Sequence, residues 1–236
     1  MLSKNDKLKL IEKVPFWWHT IDFGEGVLTN GRCFGSREQS LYFQKIILSA
    51  IPKKLSNKTV LDIGCWDGFY SFECEKRGAK VTAIDNNQQE KFVEEVYGKK
   101  RVKVTDSFHV AKKLLMSNVE FRQLDLYNLE RLRKKFDIIL LLQVFYHLKD
   151  PLKALDILYK ITNEMLIIES HYIKTKTSVP VMRFYPGQEL NNDPTNWWGP
   201  NIPCLLAMIK SVGFKKVAVF KKYYENNNRV ILKACK

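Results

Sequence analysis

From residue 59 onward, short apolar runs of strand length alternate with segments of helical period, and this alternation narrows the fold more than any other feature. Strand-like runs at 60–63, 80–84, 119–124, 136–142 and 165–169 are separated by helical stretches at 67–77, 88–97, 105–116, 129–135 and 150–161. Strands joined in this way pair in parallel through crossover helices, so a mainly parallel, doubly wound α/β sheet is expected. Its ligand site should lie at the carboxyl ends of the strands, where strand order reverses. Two final runs, 217–220 and 229–234, have only a turn at 223–228 between them and predict a terminal antiparallel hairpin, for seven strands in all.

Local signals place the remaining pieces. Residues 4–11 read as a first helix, followed by an aromatic, glycine-containing loop from Pro15 to Gly26. Ser36-Arg37-Glu38-Gln39 has the S-x-x-Q form of a capping box and opens a second helix running to Pro52. Asp150-Pro151 is a cap followed by proline at the first helical position. Residues 171–200 are rich in Pro, Gly, Asn and Trp and read as one long irregular insertion, of the kind retained for function. The division that follows is 1–55, N-terminal helices and an aromatic lid loop, and 56–236, a catalytic domain carrying the 171–200 insertion.

Composition excludes several classes. With 45% hydrophobic and 27% charged residues in 236, the chain can bury a full core. The longest purely apolar run, Ile138 to Leu142, is far below the roughly 18 residues of a membrane span. The charged N-terminus allows no signal-peptide core, so no membrane partner and a cytoplasmic location are expected. Five cysteines (Cys33, Cys65, Cys74, Cys204, Cys235) without a C-x-x-C pair read as reduced thiols, and no metal site is expected. The net charge of +14 attracts phosphates in general, but many of the lysines lie in Lys-Asn-rich stretches such as 97–103 and 215–228, where charge usually serves solvation.

The chemistry concentrates in Val60-Leu61-Asp62-Ile63-Gly64-Cys65-Trp66-Asp67-Gly68. Glycine directly after a strand allows a tight turn, and a second at the helix start lets a ligand approach the backbone. Trp66 stands where a dinucleotide fold needs a glycine against a pyrophosphate, which argues against NAD or FAD. Asp62 is placed to orient an ammonium group and Asp85 to accept two ribose hydroxyls, a pair that describes S-adenosylmethionine. Cys65, Asn86, Asp125, Leu126 and Gln143 complete the expected donor site, with Asp125 positioned to read an adenine amino group.

These residues resemble the class I S-adenosylmethionine-dependent methyltransferases: D-x-G-x-x-x-G at 62–68, an acid at Asp85, and F-D-I-I-L at 136–140. The resemblance implies a Rossmann-like fold. Three further segments are similar to the tRNA wobble-uridine carboxymethyltransferases: Trp18-His19-Thr20-Ile21-Asp22 with residues 26–31, Val144 through Pro151, and Met182-Arg183-Phe184-Tyr185 running into Asn196-Trp197-Trp198. That family uses a carboxylated donor held by basic and tyrosine side chains, for which Tyr146, Arg183 and Lys13 lie on matching segments. It also carries an N-terminal helical extension that this sequence mostly lacks. The stretch Asn191 to Trp198 is closer to shorter relatives that methylate small molecules. A small-molecule acceptor is therefore placed first, and tRNA modification with the carboxylated donor second.

Methyl transfer requires alignment and removal of one proton. His147, after the fourth strand, is the expected base with Tyr146 beside it, and His19 and His171 are second candidates. Trp18, His19, Arg32, Arg183, Tyr185, Asn196, Trp197 and Trp198 are the expected acceptor contacts, arginine for an anion and indoles for stacking. The tRNA reading instead expects Lys99, Lys100, Arg101, Lys103, Lys112 and Lys113 to form one basic face. A non-catalytic binding module on the same fold is the third reading.

Overall fold

In the computed structural model, residues 2–33, 35–86, 93–94, 98, 103–223 and 228–236 are described. The expected helix at 88–97 lies almost wholly outside them, as do Lys99, Lys100, Arg101 and most of the 223–228 turn. Seven strands form one sheet in the order β3-β2-β1-β4-β5-β9-β8, and a separate pair, β6-β7, forms a second. The chain divides into two compact units, residues 1–57 with 65–123 and residues 58–64 with 124–236.

The first unit holds α1 (Lys4–Glu12), α2 (Arg37–Ala50), α3 (Phe69–Lys76), β2 (Lys80–Asp85), α4 (Val104–Leu115) and β3 (Glu120–Gln123). Ser36 caps α2 by accepting the Gln39 N–H, and the helix buries Phe43, Ile46, Ile47 and Ala50 while leaving Leu41 exposed. α3 starts at Phe69, two residues later than expected, because Gly68 adopts a left-handed conformation with φ +82°. β2 and β3 pair in parallel, Asp85 opposite Gln123.

The second unit holds β1 (Thr59–Ile63), β4 (Phe136–Leu142), α5 (Pro151–Ile161), β5 (Thr162–His171), β6 (Met182–Phe184), β7 (Trp198–Pro200), α6 (Ile202–Ser211), β8 (Lys216–Tyr223) and β9 (Arg229–Cys235). β4, the run Ile138–Leu142 within it nearly free of solvent, lies between β1 and β5, parallel to both. Strand order reverses between β1 and β4, the switch point expected of a doubly wound sheet. β8 and β9 are antiparallel, as expected, and β9 also pairs antiparallel with β5. The helical stretch expected at 129–135 is instead a 3-10 turn at Leu126–Leu132, capped by the Asp125 carboxylate. The insertion is less irregular than it reads: β6 and β7 pair within it, Phe184 opposite Trp198.

Candidate functional site

The turn after β1 carries four of the expected donor residues, Gly64, Cys65, Trp66 and Gly68. In the second unit, Asp62 is buried on β1 while Gly64 is exposed at φ +67°. A Cβ on Gly64 would lie 2.6 Å from Val144 Cγ2, so only glycine leaves this backbone open at the switch point. Gln143, the first residue after β4, has φ +62° and donates its N–H to Glu169 O at 3.0 Å. Asp125 accepts the Tyr127 N–H at 2.8 Å as a cap, and Leu126 beside it is buried.

In the first unit, the Cys65 N–H bonds Ile84 O at 3.1 Å and the Trp66 N–H bonds Asp85 Oδ2 at 3.0 Å. The acid at the end of β2 is thereby fixed by a main-chain donor, with half-buried Asn86 next to it. Trp66 has φ +50°, a left-handed conformation uncommon for a bulky residue. Gly68 serves packing: a Cβ there would meet Phe108 and Phe72 ring carbons at 2.6–2.7 Å. Within this unit, the oriented carboxylate at Asp85 fits the ribose of an adenosine-type ligand.

Asp67, which the sequence reading passed over, is fully buried and accepts the N–H groups of Trp18 and His19 at 3.0 and 2.7 Å. Its other oxygen meets His19 Nδ1 at 2.6 Å. His19 is thus a buried anchor stacked on Phe69, and its Nε2 has no hydrogen-bond partner among the described residues. Trp18 stacks on Trp66, ring centroids 5.0 Å apart. Arg32 is exposed on a cleft of about 340 Å³ lined by residues 30–32 and 35–38. Of the expected basic face, Lys112 donates to Val119 O at 2.7 Å.

On the second unit's Phe145–His147 turn, Tyr146 is buried and its hydroxyl accepts Arg229 NH2 at 3.2 Å. Burial holds that hydroxyl well above the ordinary tyrosine range, so Tyr146 stays protonated near neutrality. Arg229 is itself buried and grips Glu169 through two nitrogens at 2.7 and 2.6 Å; Glu169 also accepts the Tyr223 hydroxyl at 2.8 Å. The basic partner of Tyr146 is therefore Arg229, whereas Arg183 lies over the Tyr185 ring, 5.3 Å from its centroid. Nothing local in the sequence marked Arg229 or Glu169.

His147 Nδ1 lies 3.0 Å from the Thr195 carbonyl oxygen, and a carbonyl can only accept. The proton is accordingly on Nδ1 and the lone pair on Nε2. Burial lowers its pKa below the ordinary 6.5, opposed by the Asp193 charge, so the ring is neutral at pH 7. His171 is buried, with Nε2 3.2 Å from the Tyr185 hydroxyl, so both belong to the wall of the insertion. Asn196 is buried and donates to Leu190 O at 2.8 Å, with its Oδ1 unpartnered among the described residues, as is Trp198 Nε1. Trp197 lies near-parallel to half-exposed Phe184, with Lys149 Nζ 5.0 Å from its ring centroid.

No described helix is long and apolar enough to cross a membrane, and the five cysteines are free thiols. A family model described as a methyltransferase domain matches residues 35–206. A tRNA U34 carboxymethyltransferase of Campylobacter jejuni subsp. jejuni serotype O:6 is 28% identical over 188 residues, 78% of this chain and 59% of that protein. One from Campylobacter jejuni subsp. doylei is 25% identical over 232 residues, 96% of this chain and 72% of that one. Among solved structures, the N-terminal domain of EvdMO1 with SAH and D-fucose superposes with a TM-score of 0.63 at 16% identity, covering 100% of this chain and 97% of that one. Magnesium protoporphyrin IX methyltransferase from Synechocystis PCC 6803 with bound SAM gives 0.58 at 15%, covering 99% and 91%. Matched by the family model over well over half its length, and sharing the fold of these solved enzymes, the chain belongs to the methyltransferase-domain family.

Proposed function

We propose that this protein is an S-adenosylmethionine-dependent methyltransferase acting on a hydroxyl or amine of a small molecule. The observation that carries the reading is the Asp85 carboxylate at the end of β2, already fixed by the Trp66 N–H at 3.0 Å. When bound, S-adenosylmethionine would supply a methyl group on a sulfonium. Asp62 would hold its ammonium, Asp85 its ribose hydroxyls and Asp125 its adenine edge. His147 Nε2 would take the proton of the acceptor, because Thr195 fixes the tautomer that leaves this nitrogen basic. Arg183, Trp197 and Trp198 would contact the acceptor. The EvdMO1 structure obtained with D-fucose, and the porphyrin named in the Synechocystis enzyme, are small-molecule precedents on this fold.

The curated relatives support a second reading, tRNA modification from a carboxylated donor, and one observation favours it. Arg229, while paired with Glu169, also touches the Tyr146 hydroxyl, so a basic and a tyrosine side chain, the kinds of group that the resemblance assigns to a donor carboxylate, stand together. The chain spans 59% of the length of the first of these relatives.

Titration calorimetry with S-adenosylhomocysteine tests the donor site: roughly micromolar binding by the wild type, weakened at least about 100-fold by Asp85→Ala, is expected. Absence of wild-type binding would overturn the donor reading. Radiolabel transfer from S-[methyl-3H]adenosylmethionine into a small-molecule extract, with none into bulk tRNA, is expected for the first reading. Transfer into tRNA, or tighter binding of the carboxylated donor, would put the second in its place.

A further inference from the structure

The turn proposed to hold the donor contains an energetic anomaly. Trp66 has φ +50°, and a bulky side chain adopts that backbone only where its surroundings impose it. Within the first unit two sets of contacts impose it. Trp18 stacks on the Trp66 ring at 5.0 Å and 26°, and Phe16 lies 6.0 Å from it. The next residue, Asp67, is fully buried and takes three N–H groups from the segment that carries Trp18: two from the main chain of Trp18 and His19, one from the His19 ring.

That segment is itself rigid. The Gln44 side chain bonds both the N–H and the carbonyl of Thr20, and Thr29 Oγ1 donates to His19 O at 2.7 Å while accepting the Ile21 N–H. A fixed loop is therefore clamped to a strained turn by one carboxylate. The product of the strain is visible: the Trp66 N–H points at Asp85 Oδ2, 3.0 Å away.

We propose that Asp67 is a positioning residue for the methyl donor: by clamping Trp18 and His19 it holds Trp66 in its left-handed conformation and keeps the Trp66 N–H aimed at Asp85. This rests on the assignment of Asp85 to the donor made above. The N-terminal loop then acts as a fixed brace for the donor turn.

The test is calorimetric titration of S-adenosylhomocysteine into Asp67→Ala, Asp67→Asn, Trp66→Gly and the Asp67→Ala/Trp66→Gly double variant, with urea unfolding in parallel. Asp67→Ala should weaken binding about 30-fold, the factor expected when a strained backbone loses its support. Asp67→Asn keeps an oxygen for the two main-chain donors and should stay within about threefold of wild type. Glycine adopts positive φ freely, so in the Trp66→Gly background the Asp67→Ala penalty should shrink to less than about threefold.

Unchanged affinity in Asp67→Ala alongside lowered urea stability would mean a merely structural role and overturn the proposal, as would an undiminished penalty in the glycine background. If Asp67→Ala does not fold, Trp18→Ala is read instead: about tenfold weaker binding is expected, and unchanged binding overturns the proposal. No binding by the wild type would remove the donor reading and this proposal together, whereas wild-type binding matched by Asp67→Ala removes this proposal alone.

Discussion

Two aromatic-rich stretches, residues 16–33 and 171–200, are built differently. Residues 16–33 close on themselves: Phe16, Trp17, Ile21, Phe23 and Val27 are buried, and Gln44, Thr29 and Asp67 bond the main chain of residues 18–21. The 171–200 insertion stays open: Val179 and Phe184 are 59% and 50% exposed, and Asn196 Oδ1 and Trp198 Nε1 are buried without partners among the described residues. A loop whose main chain is gripped by Gln44, Thr29 and Asp67 has one shape to offer, even though His19 Nε2 and Thr20 Oγ1 are themselves buried without partners among the described residues. A loop that leaves donors and acceptors unanswered retains the capacity to bind a ligand, because each such group costs about 1–3 kcal/mol until something pairs with it.

The largest expected effect lies beneath the open stretch. Replacing Arg229 with Met would strand the Glu169 carboxylate in the core, and a loss of about 3–5 kcal/mol in urea unfolding is expected. A loss below about 1 kcal/mol would mean that water reaches the pair.

Two glycines then set the loops against each other directly. A Cβ on Gly31 would meet the His19 and Thr20 backbone at 2.3–2.7 Å, whereas one on Gly199 would meet the Tyr185 ring and the Ile173 methyl at 2.5–2.9 Å. Side chains can move aside and this backbone cannot, so Gly31→Ala should cost about 3 kcal/mol and Gly199→Ala about 1 kcal/mol. Equal costs would contradict the contrast between a closed and an open loop.

The pH response is smaller. Between the lowered folded pKa of His147 and the ordinary 6.5, the unfolded chain binds more protons than the native one, so stability should decline as pH falls through that window. Transfer activity should decline only from the lower edge of that window, where Nε2 of the folded protein takes up its proton, and a flat stability profile in His147→Gln, read by thermal unfolding from pH 7 to 5, would tie the stability effect to this ring. Smallest of all, Phe184→Ala should change stability by less than about 0.5 kcal/mol, since the ring is half exposed. Its acceptor KM should rise with donor affinity unchanged, and a large loss of stability would make the ring a packing element.

The framework of this fold was legible because its signals are local. The cap at Ser36 with Gln39 three residues on, the Asp150-Pro151 start, and the unbroken apolar run of β4 each declare an element within a few residues. The donor turn was legible for the same reason, since Asp62, Gly64 and Trp66 lie on one short segment and Asp85 ends the next strand. What escaped notice depends on partners far apart in sequence. Asp67 answers amides 48 and 49 residues away, and Arg229 meets a carboxylate 60 residues away. Neither has a periodicity or spacing that could betray it, and β6 and β7, three residues each, are too short to show an alternation.

The position of β9 has a consequence for how the chain is made. It follows β8 in the chain, yet it lies between β5 and β8 and hydrogen-bonds to both. Until it arrives, β8 has no neighbour in the sheet, and Glu169 on β5 waits without its arginine. Nascent chains halted before residue 229 should accordingly remain protease-sensitive from β5 onward, and emergence of β9 should convert that part of the sheet in a single step.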